Sequence, residues 1–219
     1  MKKIFDFLTQ LSANNNREWF GAHRPLYEEA KARFEAVAED MIARVARIEP
    51  EVAALPVKNT LYRIYRDTRF SADKTPYKTH FGTYINPRGK KSLHGGYYLH
   101  VQPSACCLSV GTYCLPSPVL REVRQSIVDN LEAFEAIMTE PRLAALHPVI
   151  GETRLKTLPA GFPRDFARPE YLQPREYFLT CAVSDGFFLE KGWQDRACEI
   201  FRLMKPFLDF VNDVADDYI

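Results

Sequence analysis

FGTYINPRGKKSLHGGYYLHVQPSACCLSVGTY, residues 81 to 113, decides the fold. β-Branched and aromatic residues here alternate with small or polar ones, the period of two that a half-buried strand requires. Asn86-Pro87-Arg88-Gly89 and Gln102-Pro103-Ser104 carry turn chemistry, so the spacing predicts strands near 81–86, 96–102 and 106–113. Connections this short make neighbouring strands antiparallel, because a parallel pair needs a crossover of about a dozen residues. The pattern also predicts a strand upstream, near 61–66, and a fifth over 176–183, where Tyr177, Leu179, Cys181 and Val183 alternate with their neighbours.

On both sides the period becomes helical. Ile4, Phe7, Leu8 and Leu11 predict a helix over 3–12, and an Asn before Arg17 is a suitable N-cap for a short one over 16–23. Pro25 fits the first turn of a long helix from about 25 to 48. Ser117-Pro118 opens another, with Leu120, Val123, Ile127, Leu131, Phe134 and Ile137 along one stripe, followed by a brief turn at 141–147. Residues 151–175, rich in Pro and Gly, read as an ordered surface loop, and a last helix over about 189–215 should kink at Pro206. Helices, then strands, then helices predict a single α+β domain over 1–219, a mostly antiparallel sheet of about five strands covered by N-terminal and C-terminal helices.

Composition narrows the function classes. With 46% hydrophobic and 26% charged residues the chain reads as globular, and no run of about 18 apolar residues offers a membrane span. Asp6, Thr9 and Gln10 interrupt the apolar start, which reads as an amphipathic helix instead of a signal peptide, so the cytoplasm is the expected compartment. Five cysteines, with Cys106 and Cys107 adjacent, fit neither a disulfide framework nor a CxxC metal site; they and Cys114, Cys181 and Cys198 read as small buried hydrophobes. Net charge is +1 but uneven. Residues 58–91 hold nine Lys or Arg against two Asp, leaving twenty bases and twenty-six acids elsewhere. A basic middle in an acidic chain points to a local anion site.

That site falls in LYRIYRDTRFSADKTPYKTH, residues 61–80. Arg forks bind carboxylate or phosphate, Lys adds charge and Tyr adds a neutral hydrogen bond, so Arg63, Arg66, Arg69, Lys74, Tyr77 and Lys78 are candidate ligand-binding residues for a phosphorylated or carboxylated small molecule. His100 or His80 joins them as a hydrogen-bond donor or general base. On a strand, Arg63 and Arg66 would project from opposite faces, and only the following loop could gather the cations. Asp67 and Asp73 fit a structural network with these arginines equally well, although two acids cannot neutralise five bases.

Two other readings stay open. Arg88, Lys90 and Lys91 with Lys58, Lys74 and Lys78 could track nucleic-acid phosphates, with Tyr62, Tyr65, Tyr84, Tyr97 and Tyr98 as stacking platforms. A non-catalytic interaction protein with a structural Arg/Asp network is the other. No catalytic residue is assigned, since Ser71 lies in no nucleophile elbow and no phosphate- or dinucleotide-binding glycine pattern occurs. No cofactor and no metal is expected: His94, Tyr98, His100 and Gln102 share a parity, but His94 and His100 would stand roughly 20 Å apart on a strand. Nothing in the sequence indicates an oligomeric state.

Asn15-Asn16-Arg17-Glu18-Trp19-Phe20, Tyr27-Glu28, the run from Arg63 to Lys78, Gly96-Tyr97-Tyr98-Leu99-His100, Leu155-Lys156 and Gly161-Phe162 together resemble an uncharacterised protein family, domain of unknown function 2461. The resemblance covers nearly the whole chain and implies a single-domain α+β fold, with no activity, catalytic residue or cofactor. Where that family tends to carry Asp-His-Pro, this chain has Asp165-Phe166-Ala167, so no role passes to a histidine there.

Overall fold

A computed structural model describes residues 1–113 and 115–219. The chain opens with α1 (Lys2–Ala13), α2 (Arg17–Ala22) and α3 (Arg24–Val45), then a 3-10 turn (Pro50–Ala54) and α4 (Val57–Thr60). β1 (Phe81–Ile85), β2 (Gly96–Val101) and β3 (Cys106–Thr112) follow. Next come α5 (Ser117–Asp129), α6 (Leu131–Met138), α7 (Pro141–Ala144), β4 (Val149–Ile150), α8 (Pro169–Leu172) and β5 (Tyr177–Val183). α9 (Asp185–Leu189), α10 (Trp193–Ala215) and a 3-10 turn (Asp216–Tyr218) close the chain. The five strands form one antiparallel sheet in the order β1-β2-β3-β5-β4, so the fold is α+β. Among the described residues no helix is long and apolar enough to cross a membrane.

The chain divides into two compact units. The first comprises Met1–Lys90, Tyr98–Cys107 and Val183–Cys198. Asn16 caps α2 by accepting from the Trp19 N–H at 2.8 Å, and Pro25 sits in the first turn of α3, where its missing N–H is not needed. Ile4, Phe7, Leu8 and Leu11 of α1 are buried, as are Tyr27, Ala30, Phe34, Met41 and Val45 of α3. Their aromatic members close on the sheet edge: Phe7 and Phe34 lie 6.1 and 5.2 Å, centroid to centroid, from Phe81 of β1.

The second unit comprises Lys91–Tyr97, Leu108–Ala182 and Glu199–Ile219. Phe134 of α6 packs against Tyr171, Phe207 and Phe210, while Tyr97 meets Phe201 edge-on. Gly111 has φ +121°, and a Cβ there would stand 2.6 Å from the Phe178 Cα and the Tyr177 carbonyl, so only glycine allows that approach. The buried guanidinium of Arg124 donates to the carbonyls of Leu172 and Pro174 at 2.8 and 2.6 Å, satisfying backbone at the end of α8.

Several predicted elements differ. The segment 61–66 is not a strand of the sheet: only Leu61 bridges β1, at Thr83, and the chain then turns to pair Tyr65 with Tyr77. Pro76, which has no N–H, limits that ladder to the Arg66 N–H on the Pro76 carbonyl (2.9 Å) and the Lys78 N–H on the Ile64 carbonyl (2.7 Å). The strand expected over 176–183 is β5, and the sheet's remaining strand is the two-residue β4. The helix predicted from 117 is broken at Asn130, the segment 151–175 contains α8, and the last helix begins at Trp193 as α10, with the separate short α9 before it. Cys114, expected after β3, lies outside the described residues.

Candidate functional site

The chain between Arg66 and Thr75 loops out from the short Ile64–Lys78 ladder, and its charges are largely spent on itself. Arg66 pairs with the Asp73 carboxylate and also donates to the Thr75 hydroxyl. Arg69 grips Asp67 with two hydrogen bonds, Nε to Oδ1 at 3.0 Å and Nη2 to Oδ2 at 2.7 Å. Lys74 Nζ donates to the Thr68 carbonyl at 2.9 Å. The Thr75 N–H, Arg66 and the Thr75 hydroxyl together hold the Asp73 carboxyl down at about 2. Tyr77 faces inward, 6% exposed and stacked on Phe20 at 4.0 Å, with its backbone gripped on both sides by the Asn15 amide. Four of the candidate binding residues, Arg66, Arg69, Lys74 and Tyr77, are therefore not brought to one ligand position.

A different cluster forms in the same unit, around Tyr62. The ammonium groups of Lys78 and Lys90 lie 5.3 and 5.2 Å from the centre of the Tyr62 ring, within cation–π range. Lys90 arrives by the turn at Gly89 (φ +84°) and also donates to the Leu61 carbonyl at 2.6 Å. Burial lowers the Lys78 ammonium below its ordinary value, and the positive charges of Arg63 and Lys90 lower it further. Burial also lowers Lys90. Among the described residues no carboxylate lies within ion-pair distance of Lys78, Lys90 or Arg63.

Beside the lysines stands a row of neutral hydrogen-bonding groups. In β2 the even positions face away from the buried Tyr97, Leu99 and Val101, so Tyr98, His100 and Gln102 form one line. Tyr98 Oη and His100 Nδ1 are 2.9 Å apart, and His100 Nε2 and Gln102 Oε1 are 3.1 Å apart. A Gln102 oxygen accepting from Nε2–H leaves Nδ1 to accept the Tyr98 hydroxyl proton. Tyr98 reaches this position because Gly82 opposes it: a Cβ at residue 82 would stand 2.5 Å from the Tyr98 hydroxyl oxygen. His80 lies on His100 with ring centroids 4.3 Å apart, and burial, then His100 and Lys78, push its imidazole down to about 3. Lys78, Arg63 and His100 are thus the candidate residues that come together. Tyr62, Lys90, Tyr98 and His80 complete the group.

The family model for a conserved hypothetical protein, DUF2461, matches residues 3–210. The chain belongs to the DUF2461 family. No curated protein and no solved structure matches it. For this DUF2461 chain, other features carry less chemistry. His94 lies before β2, against Asp216 (2.8 Å) and Asn212 (3.2 Å). Among the described residues no three His, Cys, Asp or Glu side chains are grouped to hold a metal ion. Burial pushes the Cys106 thiol up to about 12, which leaves it a poor nucleophile at neutral pH. A cleft of about 410 Å³ in the second unit is lined by Glu122, Asp129, Asp217 and Tyr218 among others, an acidic lining.

Of the members missed from the small-molecule set, Tyr98 was signalled by its shared parity with His100 and Gln102. Lys90 had no comparable signal, since a turn and not a period brings it to Tyr62.

Proposed function

We propose that this protein binds a phosphorylated or carboxylated small molecule, with the anion seated between Lys78, Lys90 and Arg63 beside Tyr62, His80 and His100. The observation that carries this reading is two ammonium groups on one tyrosine ring with, among the described residues, no carboxylate within ion-pair distance of either. Burial first, and then the positive charges of Arg63 and Lys90, hold the Lys78 ammonium below its ordinary value, and a bound anion would offset the like-charge part of that cost. The ring also holds the lysines in place before the ligand arrives, which reduces the ordering entropy of binding. Neutral His80 adds no further positive charge, and Tyr98 and His100 supply polar atoms for orienting the rest of the molecule.

A thermal-shift screen with inorganic phosphate, phosphorylated metabolites and small carboxylates tests this. A ligand at 100 times its Kd stabilises by about 2.7 kcal/mol, an easily measured rise in Tm. Lys78→Met should abolish the rise. Arg69→Ala should keep it, because Asp67 already occupies that guanidinium. The reading is lost if no compound stabilises the protein at millimolar concentration, or if Lys78→Met responds as wild type does.

A further inference from the structure

We infer that the loop from Arg66 to Thr75 extends this anion site into a binding surface for single-stranded nucleic acid, with Phe70 as the platform on which a base stacks. The inference rests on the anion site proposed above and adds what the phosphate is attached to.

Phe70 is 96% exposed, the most exposed of the large apolar side chains among the described residues. Such a ring would ordinarily fold back onto the protein. Here the loop is braced on both sides of it: Arg69 is fixed to Asp67, Lys74 to the Thr68 carbonyl, and Arg66 to Asp73 and Thr75. These internal contacts keep the polar groups of the loop occupied and leave the phenyl ring as the group it offers outward. The Arg69 guanidinium lies 5.9 Å from the centre of that ring.

The partner follows from the neighbouring chemistry. Lys78, Lys90 and Arg63 have no acid within ion-pair distance among the described residues, and the rings of Tyr65 and Tyr62 stand in the same segment as Phe70, 42% and 38% exposed. Alternating cations and exposed aromatics suit a polymer in which phosphates alternate with flat, unstacked faces, and that is a single strand. A duplex keeps its base faces stacked and out of reach of Phe70. A lipid surface needs several apolar side chains at a loop tip, and Phe70 is the one large apolar residue between Arg66 and Thr75.

The test measures fluorescence anisotropy of the full chain with labelled single-stranded DNA and RNA of about 12 nucleotides, the matching duplex, and phosphatidylserine vesicles. Wild type should bind the single strands more tightly than the duplex, with affinity falling as salt rises. Phe70→Ala, at a site where nothing is packed, should fold normally and bind at least about 5-fold more weakly, the loss of one base stack. The Lys78→Met, Lys90→Met double variant should bind more weakly and lose about 1.4 units of salt slope. Unchanged binding by Phe70→Ala overturns the inference and leaves the anion site standing if phosphate compounds still raise Tm. Weakening by Phe70→Ala but not by the lysine variant overturns both. Phe70-dependent binding to vesicles with none to oligonucleotides replaces the strand with a membrane and also overturns it.

Discussion

His80 shows how much a single side chain here is shaped by its surroundings. Buried first of all, and then stacked on His100 and near Lys78, it stays neutral to about pH 3, whereas a histidine in the unfolded chain titrates near 6.5. Between those values the unfolded chain holds a proton that the folded chain refuses, so stability falls as pH drops from about 6.5 toward 3. The slope contributed by one such group is at most about 1.4 kcal/mol per pH unit, and less where solvent reaches the ring. His80→Gln should flatten this acid limb, which urea midpoints measured from pH 7 to 4 would reveal; an equally steep limb in the variant would exclude His80 as its cause. Which side chains come together was partly legible: Lys78, Arg63 and His100 are candidates by residue type. Lys90 was not placed with them, since nothing local says which way the turn before it folds.

At the scale of elements, the segment 61–78 is the instructive one. Its alternation of aromatic and charged residues is that of a strand, and that expectation failed because Pro76 stops the ladder and the segment bridges β1 only at Leu61. Tertiary contacts hold it instead. Asn15 donates to the Tyr77 carbonyl at 2.9 Å and accepts the Tyr77 N–H at 3.1 Å, doing for this backbone what a neighbouring strand would do. Asn15→Ala should cost about 1–3 kcal/mol from two lost hydrogen bonds. In hydrogen exchange the Tyr77 amide should lose protection while amides of β2 keep theirs; unchanged exchange at Tyr77 would show that the ladder stands without Asn15. The break between α5 and α6 was hidden for another reason. The apolar stripe runs through Asn130 without a change of period, and only the side chain bonding back to the Ser126 carbonyl marks the stop. β4 is too short for any periodicity to register.

Over the whole molecule, the order of helices and strands was readable, because changes of period are a property of long segments. The place of β5 between β3 and β4 was not, since strand order depends on contacts remote in sequence. Arg124 is a second case. Its charge gives no sign of its partners, yet it is 6% exposed and bound to two carbonyls 48 and 50 residues away. Arg124→Met keeps most of the packing volume but leaves both carbonyls buried without a donor, a loss of about 2–4 kcal/mol in urea unfolding. A variant as stable as wild type would mean that water reaches those carbonyls. The charge pattern did survive the change of scale. The surplus of bases between Lys58 and Lys91 gathers in part at Tyr62, while the cleft of the second unit is acidic.

At neutral pH more of Lys78 stands as free amine than of an ordinary surface lysine, because burial and two neighbouring cations disfavour its proton. Free amines, unlike ammonium ions, attack acyl donors. One acyl group on Lys78 would remove a charge from the middle of the cluster.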